Sequence, residues 1–134
     1  MKMFDLSDRI AIVSGAGGQL GGEYVRTLLQ AGARVVAADV SKLNLLVDDA
    51  IKERLLQLPM DIRSRTDMER VLETVRSKWG EPSILVNNAA IDAPPGAGEQ
   101  ETGPFEDYPE SSWDQMMDVN LKGMFLSCQV FGAQ

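Results

Sequence analysis

Between Ser14 and Gly21 the chain reads SGAGGQLG, a run in which glycine occupies positions 15, 17, 18 and 21. Glycines this dense strip the Cβ atoms from a short stretch of backbone, so its N–H groups can come close to an anion. Gly15 permits a sharp reversal, Gly17 and Gly18 let the backbone approach a phosphate, and Gly21 lets a following helix start close to the preceding strand. The open N–H groups and positive dipole end of that helix then face the anion. Asp39 stands about 20 residues downstream, the spacing at which an acid accepts hydrogen bonds from the hydroxyls of an adenosine ribose. A carboxylate there repels a 2'-phosphate, and no Arg follows it, so NAD is favoured over NADP. The plain alternative is that Asp39 caps a helix beginning near Ser41.

These residues need elements to hold them. Arg9 to Val13 has the length and Ile/Val content of a buried strand, and Gln19 to Ala31 carries Leu20, Tyr24, Val25, Leu28 and Leu29 at helical spacing. Ala33 to Asp39 is a second strand. A short helix is expected around Lys42 to Arg54, then a third strand over Leu55 to Met60, weakened by Pro59. Thr66 to Trp79 predicts a helix with Met68, Val71, Leu72 and Val75 on one face, and Ile84 begins the fourth apolar run. The last helix carries Trp113, Met116, Met117, Leu121, Met124 and Phe125, with Asp107 and Glu110 forming a capping pattern at its start. Parallel strands joined by right-handed crossovers give an α/β fold, a Rossmann-like sheet of order 3-2-1-4 with flanking helices, in a single domain over 1–134.

Three further segments sharpen the reading. The fourth run ends as ILVNNAA (Ile84 to Ala90), the third as Met60, Asp61, Ile62, and the last helix contains DVNLKG (Asp118 to Gly123). Together with SGAGGQLG they resemble, in order and spacing, the classical short-chain dehydrogenases/reductases. The resemblance implies that Ser14, Gly15, Gly17, Gly18, Gln19, Leu20 and Gly21 hold the pyrophosphate of a nicotinamide dinucleotide and that Asp39 holds the adenosine ribose. It places Asp61 and Ile62 beside the adenine, and Asn88, Ala89 and Ala90 at the strand end on the ribose side. It makes Asn120 the active-site Asn, which breaks its helix locally so that a backbone carbonyl can hold a water on the proton path. Gln19 departs from the pattern by occupying a position usually left to Gly, and it is expected in ordinary helical space. The sequence also departs at the acid/base pair, because Tyr24 and Tyr108 are followed four residues on by Leu28 and Ser112. The family's catalytic Tyr-x-x-x-Lys would lie beyond Gln134, so the chain reads as the cofactor-binding front of an NAD-dependent oxidoreductase acting on an alcohol or carbonyl substrate. A dinucleotide-binding module without catalysis, or an interaction half completed by another chain, are the alternatives.

Composition narrows the partners. A net charge of −7 argues against nucleic acid, whose phosphates need a basic face. No run reaches the length of a membrane span, Met1 to Asp8 lacks the apolar core of a leader, and one cysteine, Cys128, points to a reducing cytoplasm. The chain contains no His, and no metal site is expected. The loop from Ile91 to Glu110 carries Asp92, Glu99, Glu101, Glu106, Asp107 and Glu110 without Lys or Arg. By position it borders a substrate mouth, where an acidic lid would suit a cationic or polyhydroxylated substrate; the alternative is a solvated surface loop. Met124, Phe125, Cys128 and Phe131 recur at helical spacing, and an apolar face of that kind is expected to join copies into a homo-oligomer.

Overall fold

The computed structural model describes residues 4–133; the first residues of the Met1–Asp8 segment and Gln134 lie outside them. Four parallel strands, β1 (Ile10–Ser14), β2 (Arg34–Asp39), β3 (Leu55–Pro59) and β4 (Ile84–Val86), form one sheet in the order β3-β2-β1-β4. This is the expected Rossmann-like topology. Val13 lies in register with Ala37 on one side and Val86 on the other, and Ala38 with Leu58, so the strand ends share one edge of the sheet.

Every residue of β1 is buried, because the strand is central and both faces of the sheet are covered. Alternation then sorts the side chains into two cores. Ala11 and Val13, with Val35 and Ala37, pack against Val25 and Leu29 of α1 (Gln19–Gln30). Ile10 and Ile12, with Val36 and Ala38, face Met68, Val71, Leu72 and Val75 of α2 (Arg65–Lys78), the apolar stripe read from the sequence. Ser64 caps α2 by accepting from the Asp67 N–H at 3.2 Å. Val130 and Phe131 of the last helix close the same core. That helix runs as α3 (Glu110–Met117), a π-helical stretch (Asp118–Gly123) and α4 (Met124–Phe131).

Four expectations fail. No helix forms over Lys42 to Arg54 beyond a single 3₁₀ turn at Lys52–Arg54. Leu43, Leu45 and Val47 instead alternate with exposed neighbours, and all three pack on the α1 core. The Gln57 amide of edge strand β3 stands in for a strand partner: its Oε1 accepts from the Leu45 N–H at 2.7 Å and its Nε2 donates to the Leu45 carbonyl at 3.2 Å. Second, Leu20 and Tyr24 do not join the buried face of α1, which Gly21, Gly22, Val25 and Leu29 supply. Third, the Asp107–Glu110 cap is not made. Pro109 precedes α3, Asp107 lies in a separate 3₁₀ turn, and the Ser112 hydroxyl donates to Glu101 at 2.8 Å. Fourth, Phe131 leaves the apolar face of α4 for the core, while Met124, Phe125 and Cys128 stay exposed.

Candidate functional site

The site grows from the turn after β1. Gly15 takes φ +66°, the left-handed region that favours glycine, and a Cβ there would stand 2.7 Å from Ala89 Cα. Gly18 precedes the first residue of α1 in extended conformation, so Gln19 begins the helix with ordinary geometry, as expected of a side chain in that place. Gly21 lies one turn in, where a Cβ would overlap the Gly15 carbonyl oxygen and approach Ala16 Cα at 2.8 Å. The helix N-terminus therefore seats directly on the turn. The end of β4 braces it from the other side. Asn88 Nδ2 donates to the carbonyls of Ser14 (3.1 Å) and Gly15 (3.0 Å). The Ser14 hydroxyl accepts from the N–H groups of Asn88 (3.1 Å) and Ala89 (3.2 Å) while donating to the Val86 carbonyl.

Asp39, at the end of β2, reaches across to the same turn. Its Oδ2 accepts from the Gly17 N–H at 2.9 Å, and its Oδ1 from the Ser41 N–H (2.8 Å) and hydroxyl (2.7 Å). Burial pushes this carboxyl up, but the bonds from Ser41, Gly17 and Val40 outweigh it and hold it below the ordinary aspartate value. An ionised acceptor is thus fixed at the strand end. It turns the chain at Ser41, without the helix that a capping role would need.

Asp61 follows β3. Arg63 grips its carboxylate with Nε at 3.0 and 3.2 Å and Nη2 at 2.7 Å, and the Arg63 N–H donates to Oδ1 at 2.9 Å. The bonds from the Arg63 side chain are the main cause that depresses the Asp61 pKa. The backbone N–H of Asp61 is itself held by Asp67 Oδ2 at 2.9 Å. Ile62 is buried, and Gly123 of the π-helical stretch passes so near that a Cβ would lie 2.8 Å from Ile62 Cγ1.

Asn120 sits in that stretch. Its Oδ1 accepts from the Ile91 N–H at 2.8 Å and its Nδ2 donates to the Ile91 carbonyl at 2.7 Å. Both backbone groups of the residue that opens the acidic loop are thereby pinned to the helix. The helix is locally irregular around Asn120, and π-helical turns recur at functional sites.

These pieces surround one open cleft of about 990 Å³ along the carboxyl ends of the strands. Ser14, Gly15, Gly18, Gln19, Leu20, Gly21, Asp39, Asp61, Ile62, Asn88, Ala89 and Ala90 all line it. Among the cofactor residues read from the sequence only Gly17 does not, its N–H being turned to Asp39. Asn120 stands behind the wall, acting on it through Ile91. The wall also holds Asp92 and Pro95 of the loop expected at the substrate mouth and Val119 of the DVNLKG segment, together with Val40, Arg63 and Gln115, which motif reading missed. Arg63 alone left a signal, an Arg two residues beyond an Asp at a strand end, where an Asx-type turn brings the two together.

Among the described residues no helix is long and apolar enough to cross a membrane. A family profile described as short chain dehydrogenase matches residues 9–134. An NAD-dependent glycerol dehydrogenase of Listeria innocua is 30% identical over 134 residues, covering 99% of this chain and 50% of that protein. An uncharacterized oxidoreductase of Staphylococcus haemolyticus is 31% identical over 127 residues, 93% of this chain and 52% of its own. The fold superposes on a solved glucose/ribitol dehydrogenase from Brucella melitensis with a TM-score of 0.78 at 24% identity, over 96% of this chain and 52% of that one. It superposes on serine dehydrogenase from Escherichia coli with a TM-score of 0.75 at 25% identity, over 91% and 54%. The chain spans about half the length of the curated relatives it matches. With its sheet order, its glycine turn and its match over residues 9–134, the chain belongs to the short-chain dehydrogenase family.

Proposed function

We propose that the cleft binds NAD, in preference to NADP, as the cofactor site of an oxidoreductase that moves a hydride between the nicotinamide and an alcohol or carbonyl substrate. The observation that carries this reading is the Asp39 carboxylate, fixed at the end of β2 and bonded to Gly17 of the glycine turn. A ribose whose pyrophosphate lies on that turn meets an ionised acceptor for its hydroxyls, and a 2'-phosphate meets a negative charge. The cleft fits such a group in size and in donor set: its volume reaches that of the larger small-molecule sites, and its wall carries the turn's backbone with carboxylates at 39 and 61.

In this reading Ser14 to Gly21, with the first turn of α1, hold the pyrophosphate. Asp39 holds the adenosine ribose, Asp61 and Ile62 border the adenine, and Asn88, Ala89 and Ala90 line the way to the nicotinamide. When bound, the dinucleotide supplies the hydride acceptor or donor. The residues of this chain bind and orient it. Asn88 keeps the turn in shape through the Ser14 and Gly15 carbonyls. Asn120 fixes Ile91 at the mouth of the acidic loop and breaks the helix regularity beside it, its proposed part in the active site. The loop's carboxylates favour a hydroxyl-rich substrate. Exposed Trp113, Leu121, Met124 and Phe125 along α3 to α4 support association of copies into a homo-oligomer, and the single cysteine suits a reducing cytoplasm.

Calorimetric titration of both cofactors into the protein and into Asp39→Ala tests the assignment. NAD is expected to bind more tightly than NADP, with the preference collapsing in the variant. Tighter binding of NADP to the unmodified protein would refute it.

A further inference from the structure

We infer that Arg63 is a positioning residue for base selectivity: its guanidinium fixes the plane and position of the Asp61 carboxylate, an acceptor-only group that takes a purine with an exocyclic amine and rejects one with a keto oxygen. The inference rests on the dinucleotide reading of the cleft.

An ionised carboxylate offers about four lone-pair sites. The Arg63 N–H and Nε share Oδ1, while Nη2, with Nε at longer range, occupies Oδ2. Roughly one acceptor site is left, on Oδ2. The grip is a fork with both carboxylate oxygens, which sets the plane of the group as well as its position, something a lysine's point charge cannot do. The Asp61 backbone is fixed separately by Asp67, so the side chain has little freedom left. Asp61 and Arg63 both line the cleft, next to Ile62, whose backbone and side chain are wedged against Gly123.

The chemistry of the remaining site follows. A deprotonated carboxylate has no proton to give, so it can bond an amine N–H and can only repel a carbonyl oxygen in the same place. The pair is half exposed, with side-chain exposures of 52% for Arg63 and 28% for Asp61, and as a surface ion pair it adds little to stability. Its consequence lies in what the carboxylate is prevented from doing. Freed from the fork, Asp61 keeps only the N–H of residue 63 on one oxygen, and it can turn away from the base.

The test compares NAD with nicotinamide hypoxanthine dinucleotide, in which a keto oxygen replaces the purine 6-amine and N1 gains a proton, by calorimetry on wild type, Arg63→Gln, Arg63→Lys, Asp61→Asn and the double variant Asp61→Asn/Arg63→Gln. Wild type is expected to prefer the adenine dinucleotide. Arg63→Gln is expected to lower that preference about five- to tenfold, and Arg63→Lys to restore part of it. In the Asp61→Asn background Arg63→Gln should leave the ratio unchanged, because the residue acts through the carboxylate. A merely structural role would weaken both ligands alike and leave the ratio where it was. An unaltered ratio in Arg63→Gln, or an equal fall with and without Asp61, overturns the inference while leaving the cofactor site intact. Failure of wild type to bind either dinucleotide overturns both.

Discussion

Gly21 and Gly22 are neighbours in the first turns of α1, both buried and both helical, so replacing either by Ala should gain the same helix propensity, about 1 kcal/mol. Their surroundings differ. A Cβ at Gly22 meets a flexible Arg26 Nη1 at 3.5 Å and Leu45 Cδ2 at 3.7 Å, ordinary contacts. A Cβ at Gly21 overlaps the Gly15 carbonyl oxygen and stands 2.9 Å from Asn88 Nδ2. That carbonyl cannot retreat freely, because it also accepts from Asn88 Nδ2 and from the Gly18 N–H. Opening the contact costs about 1–3 kcal/mol as overpacking, and each bond lost with it adds about 1 kcal/mol. The gain in propensity is outweighed. Gly21→Ala is expected to destabilise by roughly 1–3 kcal/mol, a fall in Tm of about 3–10 °C, and to weaken NAD binding by moving the turn. Gly22→Ala should be neutral or more stable by up to about 1 kcal/mol, with NAD affinity kept. Urea unfolding and cofactor titration of the two variants decide it. Equal effects at the two positions would refute the claim that the helix is seated on the turn through Gly21.

Asn120→Ala removes both bonds to Ile91 and should cost about 1–3 kcal/mol, with faster amide exchange at Ile91 and none of that change in β1; unchanged exchange at Ile91 would contradict the clamp. Gln57→Ala should free Leu45, raising its amide exchange roughly fivefold for about 1 kcal/mol of lost bonding, measured by hydrogen exchange. The folded pKa of Asp39 lies below that of an unfolded aspartate, so its contribution to stability is fully present above the unfolded value and is lost as pH falls through the lower folded value. Urea midpoints followed downward from pH 5 should therefore fall more steeply for wild type than for Asp39→Asn, and parallel curves would contradict the bonding described.

Much of the fold was legible because its signals were local. Ile10 to Val13 and Val35 to Ala38 are apolar runs of strand length, and Met68, Val71, Leu72 and Val75 mark one face of α2 without ambiguity. The glycine turn was equally clear, since position 15 needs a positive φ and position 21 has no room for a Cβ. The failures share a cause in partners distant along the chain. Lys42 to Arg54 has a composition that suits a helix, yet Gln57 captures its backbone from the sheet edge and Leu43, Leu45 and Val47 find a core at period two. Leu20 and Tyr24 fit an apolar helix face, but the close approach permitted by Gly21 and Gly22 turns that face elsewhere. In the site, motifs named Asp61 and Asn88 but not their bonding. That Asn88 spans to the Ser14 and Gly15 carbonyls depends on the parallel pairing of β1 with β4, which no local window contains.

In the proposed complex a dinucleotide lies along the strand ends with its pyrophosphate on the glycine turn. Backbone amide shifts followed during an NAD titration of isotopically labelled protein test it most directly. Saturable changes are expected together at Gly15 to Gly21, at Asp39 to Ser41 and at Asp61 to Arg63, with the exposed side of α2 silent. Saturable shifts confined to other segments, or none at these three, would contradict the account.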